Sequence, residues 1–155
     1  MPFIVHSNIE SEFQAFRQIA TESQSDRRAM MNQLGFYLLD KEKAHFNQLA
    51  KTGSSNGVTW PKHADATAKR RAALARRGRL TVQPDTIGIM TGFMASRFRF
   101  RANSNQVRIT NTAPYQGAFS VKRPIYPATF PAEWLSGCDS IVQSHSNKVT
   151  GGLSK

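Results

Sequence analysis

Six cationic side chains, Lys69, Arg70, Arg71, Arg76, Arg77 and Arg79, fall within eleven residues, and Arg97, Arg99, Arg101 and Arg108 follow. The chemistry open to such a set is electrostatic: it can neutralise the phosphates of a nucleic acid or meet an acidic protein surface. Phe98 and Phe100 stand between the arginines, as aromatic rings do in single-strand binders. Strand alternation, however, sends those rings to the opposite face, so they read as core rather than as platforms for bases. A solvated basic face with no partner is the plain alternative.

Other reactive residue types are scattered. His6, His45, His63 and His145 have neither metal-ligand spacing nor cysteine partners. Cys138, the single cysteine, excludes an internal disulfide, and as a nucleophile it would need a base such as His145. In Ser-Gly-Cys-Asp-Ser it reads instead as a small buried residue. No phosphate loop, dinucleotide fingerprint or G-x-S-x-G elbow occurs, and no carboxylate pair stands out. The chain therefore reads as a non-enzyme, with no catalytic, cofactor or metal residues expected.

At 155 residues the chain is long enough for one domain with its own core. The net charge of +11 is concentrated: residues 1–68 are net zero, residues 69–101 net +8, and residues 102–155 net +3. The N-terminus lacks a basic and apolar leader, and no apolar run reaches membrane-spanning length, so a soluble, unexported protein without a membrane partner is expected.

The elements that must position the arginines follow from periodicity. Phe98 and Phe100, then Val107 and Ile109, alternate with Arg97, Arg99, Arg101 and Arg108, which predicts a hairpin with one apolar and one basic face. A lone ribbon is marginal, so other elements must cover that apolar face. Ser7-Asn8-Ile9-Glu10 has the form of a capping box and predicts a first helix over about residues 8–22. A second helix, capped by Ser25 or Asp26, runs to about Leu49. Met31, Leu34, Leu38, His45 and Leu49 mark its apolar face, with Met30, Tyr37 and Phe46 beside it and Lys41, Glu42 and Lys43 at the surface.

Lys51 to Gly57 reads as a glycine- and serine-rich loop leading to an extended Val58-Thr59-Trp60-Pro61 anchor. Asp65 is expected to cap a basic helix over Ala66 to Arg77, stopped by Gly78. With little apolar surface beyond alanine and Leu74, that helix should project or meet a partner. A loop over residues 78–88 and a tight turn at Gly92 precede the hairpin. Residues 123–131 form a proline-rich extended segment, and Pro131 begins a last helix carrying Trp134, Leu135, Ile141 and Val142. The expected class is α+β, with N-terminal helices on a small antiparallel sheet and a projecting basic helix and loop. Residues 1–143 make one domain and residues 144–155 a polar tail.

In order and spacing, these features resemble the virion morphogenesis, or tail completion, proteins of tailed bacteriophages. The resemblance rests on Leu34-Gly35, Leu38 and Phe46; on Gly57-Val-Thr-Trp60-Pro61; on Thr67 and the basic helix; and on Ile89-Met-Thr91-Gly92-Phe-Met-Ala-Ser96. It continues through Val107-Arg-Ile-Thr-Asn, Ala113-Pro-Tyr115 and Arg123-Pro-Ile-Tyr-Pro127, covering about residues 8–131. Gln116-Gly117-Ala118-Phe119 departs from the family pattern, which leaves residues 115–121 open between helix and strand.

The resemblance implies a structural virion protein of the neck, made in the host cytoplasm. It would form a ring, commonly of six copies, that joins the tail tube to the head connector, with DNA passing through the channel. Trp60, Thr67, Gly92 and Tyr115 are then the candidate fold or interface residues, with core packing favoured for Trp60 and Tyr115. Lys69, Arg70, Arg71, Arg76, Arg77, Arg79, Arg97, Arg99 and Arg101 are the candidate patch facing a partner or DNA. A basic nucleic-acid-binding module is the alternative.

Overall fold

A computed structural model describes residues 3–4, 24–80, 87 and 93–152. In chain order these form β1 (Phe3–Ile4), α1 (Gln24–Thr52), β2 (Ser54–Ser55), β3 (Val58–Thr59) and α2 (Asp65–Arg76). A short 3-10 turn, Ala95–Arg97, then leads into β4 (Phe98–Ala102), β5 (Val107–Asn111), α3 (Gln116–Lys122) and α4 (Ala132–Gly152). The class is α+β, as expected. The helix expected over residues 8–22, the turn at Gly92 and most of the loop expected over 78–88 lie outside the described residues.

The described residues fall into two compact units. One holds residues 41–80, 87, 93–99 and 111–129; the other holds 3–4, 24–40, 100–110 and 130–152.

β4 and β5 are the expected hairpin. Phe98, Val107 and Ile109 are buried while Arg99 and Arg101 are exposed, which is the period-2 pattern realised. Asn103 closes its turn by accepting the Asn105 and Gln106 N–H groups at 2.8 and 2.9 Å. β1 pairs antiparallel with β5, Phe3 opposite Ile109, giving a sheet of order β1-β5-β4.

α1 begins at Gln24, so Ser25 and Asp26 lie in its first turn rather than before it. In the unit holding residues 24–40, Met30, Met31, Leu34 and Leu38 are buried. Gly35 there lets the helix approach the sheet, because a Cβ at that position would fall on the Phe100 ring. The same ring meets Phe36 edge-on, with centroids 4.8 Å apart. In the other unit the fully buried Phe46 packs edge-on against both Phe98 and Trp60, at 5.3 and 5.4 Å. The helix thus covers the apolar face of the ribbon, as the sequence requires.

Residues 51–57 are more ordered in pattern than a loop. β2 and β3 form a small hairpin, Ser54 opposite Thr59 and Ser55 opposite Val58. Its two turn residues, Asn56 and Gly57, have φ of 44° and 76°, the Asn-Gly solution for a two-residue turn.

The C-terminal segment corrects two expectations. α4 continues to Gly152, so most of the expected tail is helix. Its inward face is Trp134 and Cys138, with Ile141, Val142 and His145 half-buried, whereas Leu135 is exposed. His145 contacts Gln33 Oε1 through Nε2 at 2.8 Å, tying the later turns of α4 to α1.

Candidate functional site

α2 owes its helicity to alanine-rich, arginine-rich composition rather than to a wide apolar stripe. Lys69, Arg70, Arg76 and Arg77 are accordingly exposed, as is Arg79 beyond its end. Two expectations change. Ala64, extended at φ −60° and ψ 148°, is the residue that precedes the helix, and it makes no side-chain cap bond; Asp65 lies in the first turn, where its carboxylate complements the helix dipole. Arg71, expected in the exposed patch, is 2% exposed. It lies one turn before Leu74 and Ala75, which are half-buried, so the three share one face of the helix. At the far end Gly78, at φ 64°, donates to Ala75 O, and Arg79 donates to Leu74 O, a Schellman ending.

Residues 61–64, the first turns of α2 and the end of α3 surround a cavity of about 630 Å³. Lys62, Arg70, Arg71, Lys122 and Arg123 supply its charge, and Leu74 and Phe119 supply apolar wall. No Asp or Glu lines it among the described residues. Arg123 donates through Nη2 to Pro61 O at 3.1 Å, and its buried Nε has no hydrogen-bond partner among the described residues. Thr67 is exposed and lines the same cavity.

Trp60 anchors this region through Phe119 and Pro124. It is 2% exposed, donates its indole N–H to Pro124 O at 2.6 Å, and meets the Phe119 ring edge-on at 5.4 Å. Core packing is therefore its role in the chain. Tyr115 departs from the same expectation: it is 47% exposed and lies tilted on Phe93, with centroids 6.0 Å apart. It immediately precedes α3, so its side chain leaves from a helix end rather than from a buried strand. α3 itself resolves the open state of residues 116–121 as helix.

Two of the arginines expected on the hairpin are engaged locally. Arg97 lies over the Phe93 ring, 4.4 Å from its centroid, and Arg99 donates through Nη1 to the carbonyls of Ser96 and Phe98, both at 2.8 Å. Arg101 is exposed, and Arg108 is half-buried. The cavity gathers Arg70 and Arg71 from the expected patch, and joins them to Lys62, Lys122 and Arg123, which sequence spacing did not associate with it.

A second cluster is polar and buried. Glu42, expected at the surface, is 1% exposed, and burial pushes its carboxyl up to about 8. His45, 3% exposed, contacts Ser55 Oγ through Nδ1 at 2.9 Å and receives a hydrogen bond there from Asn56 Nδ2 at 3.3 Å. An imidazole accepting at Nδ1 is neutral, and burial lowers its pKa to about 4. Tyr126 accepts the Asn111 N–H at 3.1 Å, and is pushed up to about 12 by burial, with Glu42 adding to the shift. Asn111 in turn donates to Met94 O at 2.8 Å and accepts the Ala113 N–H at 3.0 Å, which fixes the exit of β5.

Cys138 is buried, and desolvation, then the Asp139 charge, raises its thiol to about 11. That disfavours the thiolate a nucleophile needs. Among the described residues no cluster of His, Cys, Asp and Glu could hold a metal ion, and no helix is long and apolar enough to cross a membrane.

Comparison with protein-family models, curated proteins and solved structures finds no match to this chain.

Proposed function

We propose that this chain is a structural subunit of the neck of a tailed bacteriophage, assembling into a ring at the head-tail junction as the tail completion proteins it resembles do. The observation that carries the reading is the meeting of two motifs on which the resemblance rests. Trp60-Pro61 and Arg123-Pro124, far apart in sequence, are joined by the Trp60 indole bond to Pro124 O and the Arg123 bond to Pro61 O. Ile125, within the second motif, is 0% exposed. Short motifs that meet in space act together on the fold, which gives their shared order more weight than each has alone.

Ring assembly draws on two further features. Among the described residues β4 is an edge of its sheet, so its backbone groups offer pairing to a neighbouring subunit. The exposed cations of α2 offer electrostatic complementarity to an acidic connector surface or to DNA in the channel, setting register and encounter rate. Mixing the purified chain with tail-tube and head-connector proteins and imaging the product tests the proposal. Rings that cap the tubes are expected; a chain that ignores both partners and remains monomeric contradicts it.

The second reading, a nucleic-acid-binding module, is favoured by the exposure of Lys69, Arg70, Arg76, Arg77 and Arg79 along one helix and its end. It requires duplex affinity that falls steeply with salt, with the slope flattened by alanine at Arg70, Arg76 and Arg77. An unchanged slope removes those residues from the footprint.

A further inference from the structure

The cavity beside α2 has a composition that the ring reading does not use. Four cationic side chains besides the buried Arg71 border about 630 Å³, no Asp or Glu among the described residues lines it, and Leu74 and Phe119 give one wall an apolar character. Burying or crowding like charges is unfavourable unless a counter-charge enters. The size and mixed lining match small-ligand sites rather than a flat macromolecular contact.

The charge density narrows the chemistry. A carboxylate neutralises a single cation, so a peptide would have to bring several acidic side chains into a space of this size. A phosphate group carries close to two negative charges with three acceptor oxygens, and arginine forks bind it bidentately. Arg123, whose Nη2 is already held by Pro61 O, is fixed in position for such a contact. α2 adds to the field: its first turn borders the cavity through Ala64 and Thr67, and Ala64 at its N-terminus makes no side-chain cap bond.

We propose that this cavity is a phosphate-binding site for a phosphorylated nucleotide, with the phosphates on Arg70, Lys122 and Arg123 and the base against Phe119 and Leu74. The nucleotide comes either free or as the 5′-phosphorylated end of a DNA strand. The site lies within one chain, so it stands or falls independently of ring assembly.

Isothermal titration calorimetry of the full chain tests this, using pyrophosphate, ADP, a glutamate-rich peptide, and one short DNA strand with either a 5′-phosphate or a 5′-hydroxyl. Saturable binding of ADP at one per chain is expected. Arg70→Ala and Lys122→Ala, both at exposed positions that leave the core intact, should each weaken it about tenfold or more, since a charge-assisted bond to phosphate is lost. Arg77→Ala, outside the cavity, should change it less than twofold. Tighter binding of the 5′-phosphorylated strand than of its 5′-hydroxyl form identifies the strand end as the source; equal binding identifies the free nucleotide. The proposal is overturned by no saturable binding of ADP or pyrophosphate, by tighter binding of the peptide than of ADP, by a loss under twofold in either cavity variant, or by an equal loss in Arg77→Ala.

Discussion

The Trp60 indole N–H reaches the Pro124 carbonyl at 2.6 Å, joining the segment before α2 to the segment after α3. The ring also packs on Phe46 and Phe119. Trp60→Phe keeps most of the packing but leaves that carbonyl unpaired, and should cost about 1–3 kcal/mol in urea unfolding. Trp60→Ala also opens a cavity and should cost about 3–5 kcal/mol. Equal stability of Trp60→Phe and the parent would mean that the bond contributes nothing.

At Gly35 α1 approaches Phe100 of the sheet closely within their unit. Gly35→Ala places a methyl on the Phe100 ring and should destabilise by about 1–3 kcal/mol. Gly35→Ala combined with Phe100→Leu should recover part of that loss, read as a midpoint closer to the parent than the sum of the single changes predicts.

Two other glycines should respond with opposite signs. Gly78 has open space around it but φ of 64°, so Gly78→Ala should destabilise by about 1 kcal/mol through backbone conformation alone. Gly117, inside α3 with open space and an ordinary backbone, should give about 0.5–1 kcal/mol of added stability on replacement by alanine. Thermal midpoints of the two variants on the same side of the parent would contradict this.

Much of this architecture is legible in the sequence because it follows periodicity. Phe98, Phe100, Val107 and Ile109 alternate, Met31, Leu34, Leu38 and Leu49 recur at helical spacing, and Gly78 stands at a helix end. What escaped has physical reasons. Glu42 lies four residues from both Leu38 and Phe46, so spacing places it inside, but a charged side chain argues for the surface; its protonation reconciles the two. Asn56-Gly57 is a strong hairpin signal, hidden between strands of only two residues. Arg71 and Arg70 are indistinguishable by type, and only the tertiary structure shows that Arg71 is the one buried. The cavity was not legible at all, since Lys62 and Arg123 are brought together by tertiary bonds that no local pattern encodes.

Glu42 and His45 give opposite pH slopes. Glu42 has a folded pKa near 8, above its ordinary 4.5, so the folded chain holds a proton the unfolded chain has released, and its contribution is lost as pH rises through about 8. His45, lowered from 6.5 to about 4, contributes stability above pH 6.5 that is lost as pH falls through about 4. Between about 4.5 and 6.5 the two oppose each other; above 6.5 Glu42 dominates. Stability should therefore fall from pH 6.5 to 8, by at most about 1.4 kcal/mol per pH unit. Glu42→Gln should flatten that limb and be more stable than the parent at pH 8. A parent chain whose urea midpoint is level across this window would place Glu42 in water.

The proposed ring assembly is put to the test by native mass measurement of the purified chain at low and high salt, with and without duplex DNA. Discrete closed oligomers that persist without DNA are expected, with six copies as the expected number. A monomer that shifts only when DNA is added, and loses the shift in salt, would contradict it and make the cations of α2 the functional surface.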